Sequence, residues 1–322
     1  MPIESISALV ADEFEQLKKT VIENISANVG LVERLSNHIL KSGGKQLRPL
    51  LLMLTAKACG YQGNQQVLPA AAIEYFHTAT LLHDDVLDES TMRRGQQTAN
   101  TIWGDKASIL VGDILLTQSV QFMTKTDSMP MLKVLINAAH EITCGEVKQL
   151  ANANQTYLAI EEYFDVIRAK TALLFSAAAE IGALISDMPT ATVDSMRQYG
   201  LHLGNAFQIV DDILDYAANA ETTGKRIGDD LRDGKITLPL IFVLQQATDE
   251  EKKLIEQALV NDADPHLEQI IELMHHYQAF EQSKQVARTE IDSALNCLNC
   301  LPDNQYRQAL IELANFTISR TY

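Results

Sequence analysis

The chain has 322 residues, 46% of them hydrophobic, and a net charge of -16 at neutral pH, enough to bury a sizeable core as one large domain or two. The acidic balance argues against nucleic acid, whose binders usually present a basic face. A phosphorylated ligand stays compatible with it where metal ions and a few local Arg and Lys residues reverse the field.

Eight prolines punctuate the sequence. The segments between them carry apolar residues at helical spacing and no run alternates as a half-buried strand does, so an all-α protein is expected. The opening MPIESISALVADEFEQ lacks a basic region followed by an apolar core and does not read as a signal peptide. Residues 5–25 and 28–41 read as two amphipathic helices. In KSGGKQLRPLLLMLTAKACG a glycine turn leads into an apolar helix of about ten residues, with Pro49 suited to its first turn. Lys45 and Arg48 sit beside that N-terminus, where free N–H groups and the helix dipole favour an anion. By spacing alone, two solvated basic loop residues are an equally good reading.

Residues 68–88 form the next helix, which runs into LLHDDVLDESTMRRG at 81–95. Asp84 and Asp88 lie one turn apart on one face, with Asp85 about 100° away. A lone histidine on an apolar helix is more often a core residue. His77, however, lies seven residues before Asp84 and so nearly on its face, which shifts it towards ligand contact. His83 lies off that face and reads as structural. Arg93 and Arg94 precede Gly95 in a loop. Guanidinium groups pair bidentately with phosphate oxygens; simple charge balance for Asp84, Asp85, Asp88 and Glu89 is the weaker alternative.

Helices follow at 106–125 and at 131–152, the second with polar Glu146 and Gln149 in an apolar stripe. A long helix at 159–186 carries Lys170 and Thr171 at its middle. Its apolar stretch LLFSAAAEIGALIS contains Glu180 and is too short to span a bilayer, so a cytoplasmic protein is expected. A helix at 190–217 carries a second acidic cluster, DDILD at 211–215, in which Asp211 and Asp215 are one turn apart, as are Gln208 and Asp212. The glycine-rich TTGKRIGDDLRDGKITLPL reads as a mobile loop whose Lys225 and Lys235 can close over a diphosphate and exclude water; a solvated connector is the plain alternative. Residues 236–320 read as short helices with ordinary surface charge. There Cys297 and Cys300 form a lone CxxC without a second pair or a histidine, two helical thiols rather than a zinc or redox site. No low-complexity linker divides the chain, so one domain over 1–322 is expected.

A single DDxxD is a weak signal, since a solvated acidic turn explains most of them. Here both copies continue apolar helices, after FHTATLLH and after GNAFQIV. Carboxylates facing each other in a cleft repel unless divalent cations neutralise them. Oxygen donors suit Mg²⁺, which takes one or two carboxylates with waters and phosphate oxygens. The two clusters therefore read as opposite jaws on a metal-bound diphosphate.

Assembled in order, GGKQLRP, the first aspartate-rich motif with its trailing RRG, GEVKQL, Lys170-Thr171, the second motif after GNAFQ, and GKITLP resemble the trans-polyprenyl diphosphate synthase family over nearly the whole chain. The resemblance is nearest to its bacterial long-chain, octaprenyl-forming branch. It implies an isoprenoid synthase fold, a barrel of antiparallel helices around a deep cavity, and a homodimer. It also implies that Asp84, Asp85, Asp88, Asp211 and Asp212 hold Mg²⁺ against an allylic diphosphate such as farnesyl diphosphate, with Asp215 completing the second motif. Arg93, Lys170, Lys225 and Lys235 would bind that diphosphate, Lys45, Arg48, His77 and Arg94 would bind isopentenyl diphosphate, and Thr171 and Gln208 would line the reacting carbons. The chain ends ISRTY rather than in the basic cluster of some short-chain relatives, so Arg320 receives no substrate role.

The implied chemistry ionises the allylic C–O bond, joins the cation to the double bond of isopentenyl diphosphate and removes a proton. It needs no enzymic nucleophile, and no Ser/His/Asp or Cys/His arrangement stands out. The first motif lacks the two-residue insertion of bacterial farnesyl synthases, and Ala79 stands five residues before Asp84 where archaeal-type geranylgeranyl synthases carry a bulky aromatic. With Ala79 and Thr80 near the site, a growing chain can pass towards the N-terminal end of the helix, roughly one isoprene unit per 5 Å turn. Phe122 or Met123 would then be the floor, with core packing as their plainer role. A C40 product for a quinone side chain is expected, with transient membrane contact at its release. The rivals are a synthase of shorter or different length, a terpene cyclase, and a non-catalytic partner subunit. Lys45, Arg48 and His77 speak against the cyclase, and two intact DDxxD motifs against the subunit.

Overall fold

The structure, a computed structural model, describes residues 3–25, 29–41, 46–93, 95–151, 156–217, 227–261 and 263–320. In chain order its longer helices are α1 (Ala11–Asn24), α2 (Gly30–Lys41), α3 (Leu47–Ala58), α4 (Val67–Leu87), α5 (Asp105–Thr124), α6 (Met129–Ala151), α7 (Ile160–Ile167), α8 (Leu173–Leu184), α9 (Thr190–Ala217), α10 (Leu238–Gln246), α11 (Asp249–Val260), α12 (Leu267–His276), α13 (Ala279–Cys297) and α14 (Gln305–Ser319). The expected all-α class holds. Among the described residues the one departure is a hairpin in which Met92 pairs with Gln97 and Arg93 with Gln96.

Three elements differ from the sequence expectation. The first amphipathic helix is broken, because Val10 leaves the helical region (φ -131°, ψ 31°) before α1 begins. The stretch 159–186 is two α-helices joined by a π turn at Arg168–Ala172, where the Leu173 N–H donates to Arg168 O five residues back. Part of the proposed loop at 222–240 is helical, with one turn at Asp229–Arg232 and α10 starting at Leu238. The C-terminal helices are also not all short, α13 running for 19 residues.

The chain forms two compact units. One comprises Met1–Ala138, Leu174–Gly200 and Cys297–Leu313, the other Ala139–Leu173, Leu201–Asn296 and Ala314–Tyr322. In the first, α4 packs along α5 and against α1 and α3. Helix α3 is apolar nearly all round, and Leu50, Leu51, Leu52, Met53 and Leu54 are all fully buried, the pattern of a core helix rather than a surface one. Each such side chain contributes about 1.5–3 kcal/mol by leaving water. In the second unit Tyr163, Ile167, Ile209, Ile213, Ile241, Ile255 and Met274 belong to one buried cluster. Among the described residues no helix is long and apolar enough to cross a membrane.

Candidate active site

In the first unit the acidic motif ends α4. Asp84 is half-buried, Asp88 is exposed and caps the helix, and Asp85 is 1% exposed. Burying a carboxylate is tolerable only with partners, and Asp85 Oδ1 accepts from Arg93 Nε at 2.9 Å and Nη2 at 2.8 Å. The hairpin brings Arg93 back over the helix end, and Gly95 takes the positive φ (76°) its turn requires. Arg93 thus balances Asp85 in this state. Asn100, which the sequence reading passed over, ties the same corner together by donating to Asp85 O and Ser90 O, each at 3.1 Å.

The basic segment and the histidine do converge. Arg48, in the first turn of α3, donates through Nη1 to His77 Nε2 at 3.1 Å, and its guanidinium lies 4.6 Å from the Phe175 ring centroid. Beside them Gln46, in left-handed backbone (φ 44°), donates to Glu74 Oε1 at 3.3 Å. Gln46 stands inside GGKQLRP without a role of its own, and Glu74 and Phe175 carry no sequence signal, because one acid in an alanine-rich helix and an apolar-run phenylalanine both read as filler. Lys45, Arg94 and Lys225 lie outside the described residues.

Of the chain-length residues, Ala79, Phe122 and Met123 are buried, and Thr80 donates to His77 O at 2.9 Å. One turn before Ala79, the Tyr75 ring meets Phe122 with centroids 5.3 Å apart, and its hydroxyl donates to Val21 O at 2.6 Å. A rigid aromatic pair therefore stands beneath Ala79 on the line of α4.

In the second unit α9 carries the other acidic motif. Asp212 is 3% exposed, and burial pushes its carboxyl well above the usual range, with Asp230 nearby adding to the effect. Its Oδ2 accepts from the Tyr163 hydroxyl at 2.7 Å, and its Oδ1 from Gln208 Nε2 at 2.8 Å. Gln208 Oε1 in turn accepts from the Thr171 hydroxyl at 2.6 Å. The two residues expected at the reacting carbons are thus wired to Asp212. Close approach makes this possible, since a Cβ on Gly204 would lie 2.5 Å from Ala172 Cα. Lys170 is half-exposed within the π turn.

Asp211 pairs with Arg320 at 2.9 Å, so the residue given no role by the sequence lies against the motif. Asp215 Oδ2 accepts from the Asp230 N–H at 3.1 Å, and its carbonyl accepts from the Gly228 N–H at 2.9 Å, anchoring the turn that follows. Lys235 pairs with Asp233 at 2.8 Å. Tyr163 and Arg320, to which the sequence gives no role, both touch carboxylates of the second motif.

Among the described residues no three His, Cys, Asp or Glu side chains gather closely enough to form a metal cage. An all-oxygen donor set offered one or two carboxylates at a time is what Mg²⁺ accepts when substrate phosphates and water supply its other ligands. The residues fit a hard divalent cation that arrives with a diphosphate.

Residues 29–274 match the family model described as Polyprenyl synthetase. The chain is 42% identical to octaprenyl diphosphate synthase of Escherichia coli (strain K12), over 99% of both chains. It is 40% identical to the geranyl-diphosphate-specific all-trans-nonaprenyl-diphosphate synthase of Rhodobacter capsulatus, over 98% of each. A polyprenyl synthase from Caulobacter crescentus CB15, solved with calcium and isoprenyl diphosphate, superposes with a TM-score of 0.95 at 37% identity, covering 99% of this chain and 98% of that one. The chain belongs to the polyprenyl synthetase family and is a prenyltransferase of its long-chain kind.

Proposed function

We propose that this protein is an octaprenyl (C40) diphosphate synthase that extends farnesyl diphosphate with isopentenyl diphosphate, working as a cytoplasmic homodimer and feeding a quinone side chain. The observation that carries the reading is the pair of aspartate motifs, each at the C-terminal part of a buried helix and each already tied to arginine or to neutral donors. Mg²⁺ would be held by Asp84, Asp85 and Asp88 and by Asp211 and Asp212, with Asp215 completing the second motif, and when bound it supplies the charge that lets diphosphate leave.

The chain's own residues do the rest by position and electrostatics. Arg93, Lys170, Lys225 and Lys235 orient the allylic diphosphate. Arg48 and His77, already 3.1 Å apart, hold isopentenyl diphosphate together with Lys45 and Arg94. Arginine can do so bidentately, and the N-terminus of α3 adds its dipole. Thr171 and Gln208 present oxygen to the developing allylic cation, and the departing diphosphate takes the final proton. Ala79 leaves space for the product, which stops against Tyr75 and Phe122.

The test is Asp84→Ala, assayed for incorporation of labelled isopentenyl diphosphate across a Mg²⁺ titration. Turnover should fall at least 10³-fold (an order-of-magnitude expectation for a lost metal ligand) with helicity unchanged. Near-normal turnover would sink the metal assignment.

A further inference from the structure

The structure assigns Tyr163 as a positioning residue for the diphosphate-binding metal, one that sets the orientation of the Asp212 carboxylate through the hydrogen bond from its phenol. Tyr163 is 2% exposed and Asp212 3%, so neither group competes with bulk water. A carboxylate offers about four lone-pair directions. Here one direction on each oxygen is taken, Oδ2 by Tyr163 at 2.7 Å and Oδ1 by Gln208 at 2.8 Å. The plane of the carboxylate is fixed by donors from two different helices, and a second direction on each oxygen is left for a cation.

The backbone explains how one helical stretch can supply both this donor and Thr171. In an unbroken α-helix, residues eight apart are rotated about 80° beyond two full turns, so Tyr163 and Thr171 would face different neighbours. The π turn at Arg168–Ala172, which contains Thr171, winds more slowly than an α-helix and so brings the pair closer to one face. Both then reach α9, Tyr163 to Asp212 and Thr171 to Gln208 one turn earlier. The π turn is therefore the device that lets α7 clamp the metal carboxylate while Thr171 points at Gln208.

The inference rests on the reading of Asp212 as a metal ligand, and the experiment separates the two. Calorimetry would measure binding of farnesyl S-thiolodiphosphate, which does not ionise readily, in the presence of Mg²⁺, to the wild type and to Tyr163→Phe. Binding of isopentenyl diphosphate in EDTA would be measured on the same samples. Losing a hydrogen bond to a charged group should weaken Mg²⁺-dependent binding of the thio-analogue roughly 10- to 100-fold and leave isopentenyl diphosphate binding unchanged, since Arg48 and His77 belong to the other unit. Equal affinity of variant and wild type for the analogue would overturn the assignment of Tyr163 alone. Parallel loss of both ligands would mark a general packing defect and overturn it too. A wild type that binds the analogue no better with Mg²⁺ than without would overturn both this inference and the metal reading beneath it.

Discussion

Arg320 Nη2 donates to Asp211 Oδ1 at 2.9 Å and to Phe207 O at 3.0 Å, while its guanidinium lies 3.9 Å from the Phe207 ring centroid. Its side chain is 7% exposed. The residue just past α14 thus fixes one carboxylate of the second motif by a charge-assisted bond and a stacked ring. Loss of such a bond costs about 1.5–3 kcal/mol, so Arg320→Ala should lower kcat/KM for the allylic diphosphate roughly 10- to 100-fold. Arg320→Lys keeps the charge but not the planar fork and should fall between. Steady-state kinetics with the allylic substrate varied decide it, and an alanine variant within twofold of wild type would reduce Arg320 to a C-terminal fastener.

Product length should respond to Ala79, which is fully buried one turn above the Tyr75–Phe122 pair. Ala79→Phe is expected to shorten the product to about C20 from the farnesyl primer, at a stability cost of about 1–3 kcal/mol for overpacking. Phe122→Ala should lengthen the product instead. Chromatography of the dephosphorylated alcohols reads both. An Ala79→Phe enzyme that still made mainly C40 would place the chain's path elsewhere.

Gly204→Ala sets two effects against each other. Alanine is favoured over glycine in a helix interior by about 1 kcal/mol, but its Cβ would stand 2.5 Å from Ala172 Cα. A backbone clash cannot be relieved by a rotamer change, so packing should win. The variant should melt lower, and the 2.6 Å bond from Thr171 to Gln208 should open, lowering kcat. Thermal denaturation with a turnover assay checks this, and a higher Tm with full activity would contradict it.

Much of this was legible in the sequence for reasons that can be stated. The helix carrying Asp84 is legible because its apolar residues run over five turns, whereas a shared role for Arg48 and His77 comes from the family resemblance, since spacing alone leaves Arg48 as readily a solvated loop residue. The π turn was not legible. One extra residue shifts phase by about 100°, and the stretch that follows Lys170, Thr171 to Ala179, is buried nearly all round, so no polar face there records the shift. Tyr163 was hidden for a similar reason, since in EEYFDVI it looks like one more apolar contact, and only its place opposite Asp212 gives the hydroxyl a role. Arg320 receives no role from the sequence because the ending ISRTY lacks the basic cluster of some short-chain relatives. Its meaning comes from the fold that returns it to Asp211.

The central claim, long-chain elongation from a farnesyl primer, is tested most directly on the wild-type protein. Purified enzyme would be incubated with Mg²⁺, farnesyl diphosphate and labelled isopentenyl diphosphate, and the dephosphorylated products sized. A dominant C40 alcohol that vanishes when EDTA replaces Mg²⁺ is the expected result. Products stopping at C20 or C25 would contradict the open path past Ala79, and no elongation from substrates that demonstrably bind would contradict catalysis itself.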